Sequence, residues 1–187
     1  GPIWRGKQLE GGKKGEVVKG HLGRTLSGYK IMQKNEAIYN STIGAICGPG
    51  GVDDCYVATG KTRSQGAEAE LIGRPLEGWD INASYTYNDN KIVNNGNATQ
   101  SGLTYAGNSP KHLWKLWTHY RFEPYHGAQK NIWSIGGGLN AQTSTFGTNR
   151  TVTQGGYIIG SVQASYQWNK YLSLSATLNN IANKRYY

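Results

Sequence analysis

Residues able to do chemistry are few in this sequence, and their spacing decides how each is read. Cys47 and Cys55 bound the stretch CGPGGVDDC. Its Gly, Pro and Asp residues let the backbone turn back on itself, so a disulfide across a loop tip is the natural reading, and it implies an oxidising compartment. A metal site would need further Cys or His ligands nearby, and the segment offers none. Asp53 and Asp54 beside Gly51 have too few oxygen donors around them for a calcium loop.

Glu68 and Glu70 are two apart and share one strand face, so a paired-carboxylate acid/base site can be imagined. Polar residues facing a wet interior, balanced by Lys or Arg, are the plainer reading. His112 and His119 differ by an odd number and should point to opposite faces, which argues against a shared metal or a dyad. Lys115, His119 and Arg121 instead share one polar face. Phosphate-cradling, dinucleotide and G-x-S-x-G motifs are absent. The expectation is therefore no enzyme, no resident cofactor and no metal.

The elements that carry these residues are strands. The chain has 187 residues, with 27 Gly, 13 Tyr, 6 Trp and a single Met, a strand-and-turn composition poor in helix formers. No apolar run approaches the roughly 20 residues of a membrane-spanning helix, whereas a β-barrel signals itself by alternation. The net charge is +9, from 20 Lys and Arg against 11 Asp and Glu. Those basic residues are scattered, and no helix-turn-helix, zinc-finger or RNA-binding signature accompanies them, so no nucleic acid is expected as a partner. The opening GPIWRGKQLEGG lacks the charged start and apolar core of a secretory leader, so either a leader has been removed or the sequence is an internal fragment.

Period-two alternation recurs. In WDINASYTYNDN, Ile81, Ala83, Tyr85 and Tyr87 fall on one face and Asn82, Ser84, Thr86 and Asn88 on the other. NIWSIGGGLNAQ sets Trp133, Ile135, Leu139 and Ala141 against Ser134, Asn140 and Gln142. YIIGSVQASYQWN sets Val162, Ala164, Tyr166 and Trp168 against Ser161, Gln163, Ser165 and Gln167. A tight turn at Asn169–Lys170 leads to a returning strand with Leu172, Leu174, Ala176 and Leu178 on its oily face. Tyr166 and Trp168 then stand where a membrane-interface girdle would be. Less regular strands fit 12–18, 21–35, 57–73 and 110–122, with a phase slip near Gly28. Connections alternate between short (Lys19–Gly20, 74–78, 123–130, Asn169–Lys170) and long (36–56, 91–109, 143–155), as in outer-membrane barrels. Soluble sandwiches also alternate, but strands of about 10 to 13 residues are long for one and suit a tilted membrane span.

Four segments in order carry a resemblance: weakly GYKIMQKNEA at 28–37, then GKTRSQGAEAELIGRPLEGWDINASYTY at 60–87, AGNSPKHLWKLWTHYRF at 106–122, and VTQGGYIIGSVQASYQWNKYLSLSATLNNIANKRYY at 152–187. Together they resemble the C-terminal β-barrel of TonB-dependent siderophore receptors of the ferric-hydroxamate and pyoverdine type. The resemblance implies an all-β fold in which residues 1–187 supply about eight antiparallel transmembrane strands of a barrel of about 22. The plug domain, the TonB box and the earlier strands are absent, and the family would continue past KRYY into a last strand. QLEGGKKGE is shorter than the family's usual connection between its neighbouring strands.

The function so implied is outer-membrane reception and import of ferric siderophores, energised by the TonB complex through the missing plug, with outer-membrane lipid and lipopolysaccharide around the barrel. On that reading the long loops face outside, and Tyr39, Tyr56, Tyr105 and Arg150 are candidate ligand contacts, aromatic and cationic groups suited to an anionic catecholate or hydroxamate ligand. Two other classes fit the alternation: an independent small barrel acting as adhesin, channel or membrane enzyme, and a soluble carbohydrate-binding sandwich that would bury Trp133, Trp168 and Leu174 against a second sheet.

Overall fold

A computed structural model describes residues 3–39, 56–94, 101–104, 109–122, 132–147 and 152–186, without the side chains of 36–39 and 56–59. Eight strands form one antiparallel meander: β1 (Arg5–Val18), β2 (Leu22–Tyr39), β3 (Tyr56–Leu76), β4 (Trp79–Asn94), β5 (His112–Arg121), β6 (Ile132–Gln142), β9 (Tyr157–Gln167) and β10 (Ser173–Asn179). A separate two-residue pair, β7 (Thr145–Phe146) and β8 (Thr153–Gln154), ornaments the connection between β6 and β9. The sheet is open, with β1 and β10 as its edges, so these eight strands do not close a small barrel by themselves.

Register assigns the faces, because directly opposed residues share a side. Tyr85 pairs with Ala69 and Trp114, Trp114 with Ala141, and Ala141 with Ile158, so the oily faces of neighbouring strands merge into one surface. That surface is left uncovered: Trp133 is 56%, Ile158 61% and Leu174 61% exposed. Among the described residues only Leu22 and Ile132 form a buried apolar core. A single sheet with its apolar side bare and nothing packed on it is unstable in water but matches a hydrocarbon surround. The soluble sandwich is thereby excluded, since Trp133, Trp168 and Leu174 lie exposed instead of under a second sheet.

Short connections lie at one end. Gly78, at φ 75°, sits in the two-residue β3–β4 turn, where a Cβ would also meet the Arg121 carbonyl oxygen at 2.5 Å. The β9–β10 connection differs from the expected two-residue turn, because the strands stop at Gln167 and Ser173. Asn169 Oδ1 accepts from the amides of Tyr171 (2.8 Å) and Leu172 (3.0 Å), and these bonds favour a wider loop. Replacing Asn169 with Ala should cost about 1 kcal/mol, measured as a lowered urea midpoint of the full-length protein.

Two further expectations are corrected. The phase slip near Gly28 is not a backbone irregularity: Gly28 stays in continuous register with Gly11 and Ala67. What changes face there is the apolar side chain, because the Tyr29 ring turns inward over Gly66, where a Cβ would lie 2.7 Å from the ring. The true shift in β2 comes at Asn35, whose φ is 61° and whose amide donates to the Ile3 carbonyl at 2.8 Å. Nor is QLEGGKKGE a connection; it forms the body of β1, paired residue by residue with β2 as far as Glu16.

Candidate functional site

β5, β6 and β9 have 10 or 11 residues, enough for a single tilted span, whereas β2, β3 and β4 have 18, 21 and 16. All their short turns lie at the opposite end, so the surplus of β2–β4 stands beyond the apolar band on the long-loop side. There the register places Tyr39 directly opposite Tyr56 as the last pair of the β2–β3 hairpin. Two of the four candidate ligand contacts are therefore backbone partners in one rung. Tyr105 and Arg150 lie outside the described residues, as do Cys47 and Cys55 with Asp53 and Asp54.

The inward face lines what would be the lumen. Glu68 and Glu70 both point inward, opposed by Thr86 and Ser84 on β4. His119 faces inward opposite Asp80, while His112 joins the outward aromatics, its ring stacked on Trp114 at 5.6 Å and its Nδ1 2.8 Å from the Tyr85 hydroxyl. The opposite-face assignment of the two histidines therefore holds, and no cluster of metal ligands occurs among the described residues. Toward the short-turn end, Asp80 accepts from Arg74 Nε at 3.0 Å and lies 4.0 Å from His119 Nδ1. Both partners are well exposed, so this pairing contributes little to stability.

Sequence reasoning overlooked an inward polar chain closer to the long loops. The Tyr29 hydroxyl donates to Asn88 Oδ1 at 3.0 Å, and Asn88 Nδ2 donates to Ser109 Oγ at 2.7 Å. The chain links β2, β4 and the segment before β5, and it anchors the base of the loop that follows β4. Its members are 59 and 21 residues apart in sequence, so only the register brings them together. Trp117 is the other inward surprise, its ring lying against Gly136 and Gly138, where an added Cβ would come within 2.6 Å at Gly138. The run of glycines in IWSIGGGLNAQ is the one sequence signal that pointed to such a close approach.

This chemistry is that of a barrel wall: alternating carboxamides, hydroxyls and scattered charges on one face, aromatics and aliphatics on the other. Comparison with known proteins agrees with it. The ferric-pyoverdine M114 receptor PbuA of Pseudomonas sp. (strain M114) is 31% identical over 186 residues, which are 97% of this chain and 21% of that protein. The ferric-pyoverdine BN7/BN8 receptor of Pseudomonas putida is 33% identical over 187 residues, 97% of this chain and 20% of that protein. Among solved structures, P. aeruginosa FpvA bound to a heterologous ferric pyoverdine superposes with a TM-score of 0.78 at 25% identity, covering 97% of this chain and 24% of that one. The chain thus spans about a fifth of the length of the curated relatives it matches. Residues 4–181 match the family described as TonB dependent receptor-like, beta-barrel, and the chain belongs to that family of outer-membrane β-barrel proteins.

Proposed function

We propose that this chain is the C-terminal part of an outer-membrane receptor that binds ferric siderophores outside the cell and imports them with energy delivered by TonB. The observation that carries the reading is the likeness to ferric-pyoverdine receptors along 97% of the chain at 31% and 33% identity. The taller β2–β4 wall and the long loops supply a rim for a large ligand, with Tyr39 and Tyr56 as the last backbone pair of β2 and β3. Tyr105 and Arg150 on the neighbouring loops complete the proposed contacts: aromatic rings stack on catechol-type groups and the guanidinium offsets ligand charge. The protein acts by binding and transport, not catalysis, with the ferric complex as cargo and no resident cofactor. Coupling to TonB runs through a plug domain outside this chain, and outer-membrane lipid surrounds the barrel.

The test uses the intact gene in iron-starved bacteria lacking their own receptors, with and without TonB, followed by uptake of radiolabelled ferric pyoverdine, hydroxamate and catecholate complexes. TonB-dependent uptake of one of them is expected. If none enters while the protein is verified in the outer membrane, the receptor reading fails.

We also propose that Cys47 and Cys55 are joined by a disulfide across their loop, in keeping with an exported protein. Alkylation of the unfolded, unreduced full-length protein followed by mass spectrometry should leave both cysteines unlabelled, and prior reduction should expose both. Labelling before reduction would show free thiols.

A further inference from the structure

The inward wall is segregated by charge. On β1–β4 its described ionisable residues include Glu10, Glu16, Glu68, Glu70 and Asp80 against Lys14 and Arg74, so that side is acidic. β5 reverses the sign with inward Lys115, His119 and Arg121, and the described inward residues of β6, β9 and β10 are all uncharged. One rung crosses the boundary, running Lys14, Thr25, Glu70, Ser84, Lys115, Asn140.

The β5 cations are not there to neutralise their neighbours. Asp80 is taken up by Arg74 at 3.0 Å and lies 4.0 Å from His119, whereas no carboxylate pairs with Lys115 or Arg121 among the described residues. From Lys115 to Arg121 the strip runs about 20 Å at the usual strand rise, toward the short-turn end. The wall beside it is recessed. An upper hollow of about 500 Å³ is lined by Lys115, Asn140, Ser161 and Thr177, and a lower one of about 350 Å³ by His119, Arg121, Gln163 and Ser165. Glu70, at the upper hollow, is the one carboxylate lining either. Trp117 stands between Lys115 and His119 on the strip, yet its ring lies over Gly136 and Gly138 and leaves the hollows clear.

We infer that the β5–β9 stretch of the inward wall is the lane along which an anionic ferric complex moves from the outer mouth to the short-turn end. A ferric tris-catecholate is a polyanion, repelled by the β1–β4 side and attracted by the β5 strip. Screening makes the choice of wall local: the Debye length is about 8 Å at physiological salt, so the complex senses the side it touches and little of the opposite one. Hydroxyls and carboxamides on β6 and β9 offer it hydrogen bonds without a fixed charge to hold it. The lane presupposes the receptor reading above and adds to it the side of the barrel used and the charge of the cargo.

The test uses the full-length receptor in iron-starved cells, with ferric pyoverdine, a ferric tris-catecholate and an uncharged ferric tris-hydroxamate as probes. Binding is read without TonB and uptake with it. Lys115→Glu should slow maximal uptake of the anionic complex at least about tenfold, with binding within about twofold of wild type, and Lys115→Arg should restore the rate. Lys14→Glu makes the same charge change in the same rung on the acidic side and should alter neither. Unchanged uptake in Lys115→Glu, an equal loss in Lys14→Glu, or import of the tris-hydroxamate alone would each overturn the lane while leaving the receptor reading intact; import of no probe would sink the receptor reading itself. Heat-dependent gel mobility reports folding; should Lys115→Glu not fold, Lys115→Gln must still slow uptake. A second measurement needs no siderophore. With Cys47→Ser and Cys55→Ser as background, Asn140→Cys and Ser27→Cys are each labelled in the purified protein by anionic and cationic thiol reagents of equal size. The anionic-to-cationic rate ratio should be at least about fivefold higher at position 140 than at position 27. Equal ratios, or a position 140 shielded from both reagents, would overturn the lane whatever the cargo.

Discussion

Placing an arginine at Val162 should destabilise the full-length protein by about 2–4 kcal/mol, the range for a cation on the lipid face near the bilayer midplane. The same residue one step along, Gln163→Arg, should change stability by no more than about 0.5 kcal/mol, as a polar exchange on a wetted surface does. Val162 is 43% exposed and pairs with Gly137 and Leu178 in the middle of the outward face, whereas Gln163 pairs with Gly136 and Thr177 on the inward one. The two sites are adjacent, so expression, proximity to loops and strand propensity are shared and only the face differs. Reversible unfolding from lipid vesicles, followed by tryptophan fluorescence, supplies both values. Equal losses would mean that the face assignment is wrong, and with it the membrane reading.

A second large effect is expected at Gly66, and it has a built-in contrast at Gly138. At Gly66 a Cβ would lie 2.2 Å from the Tyr87 carbonyl oxygen, a backbone atom of the neighbouring strand, besides meeting the Tyr29 ring. Gly66→Ala therefore has to push β3 and β4 apart, and a cost of about 1–3 kcal/mol is expected, as for overpacked interiors. Truncating Tyr29 to Ala removes the ring but not the carbonyl, so the double variant should recover little of that loss. At Gly138 the near atom is in the Trp117 ring, 2.6 Å away, with the nearest backbone oxygen at 3.2 Å. Gly138→Ala should be destabilising alone and largely compensated by Trp117→Ala, a coupling of about 0.5–3 kcal/mol in a double-mutant cycle. Equal coupling in the two pairs would contradict these geometries.

Both predictions depend on knowing which residue faces which way, and here sequence and structure contributed unequally. Alternation at 79–90, 131–142 and 157–178 was enough to assign the faces of β4, β6, β9 and β10, because a half-lipid, half-wet strand must alternate wherever the backbone is regular. Eight strands, their order and the contrast of short turns with long loops were equally legible, since Gly, Pro and Asn punctuate the chain for local conformational reasons. So was the opposite orientation of His112 and His119, which needs only an odd spacing.

The first half of the chain was harder, for a physical reason. Where β2 and β3 rise past the membrane, neither face meets hydrocarbon, so alternation ceases to report on orientation. Polar residues then occupy both sides, and Lys30, Met32 and Lys34 look like any solvated charge run. The inward turn of Tyr29 broke the pattern as well, because its ring fills the space left by a glycine 37 positions further along the chain. Only pairing across strands reveals that compensation.

By itself, then, the sequence determined that the chain is an antiparallel sheet with one oily and one wet face, and the four ordered segments pointed to the family; the bare apolar face and the open edges of the structure removed the soluble sandwich and the independent small barrel. Tertiary structure alone decided register. Register brings Tyr39 to Tyr56, stacks Arg5, Lys34 and Lys61 in one rung, and joins Tyr29, Asn88 and Ser109 into a chain. These partners lie up to tens of residues apart, and a one-residue slip in any strand would move its whole set of side chains to the other face.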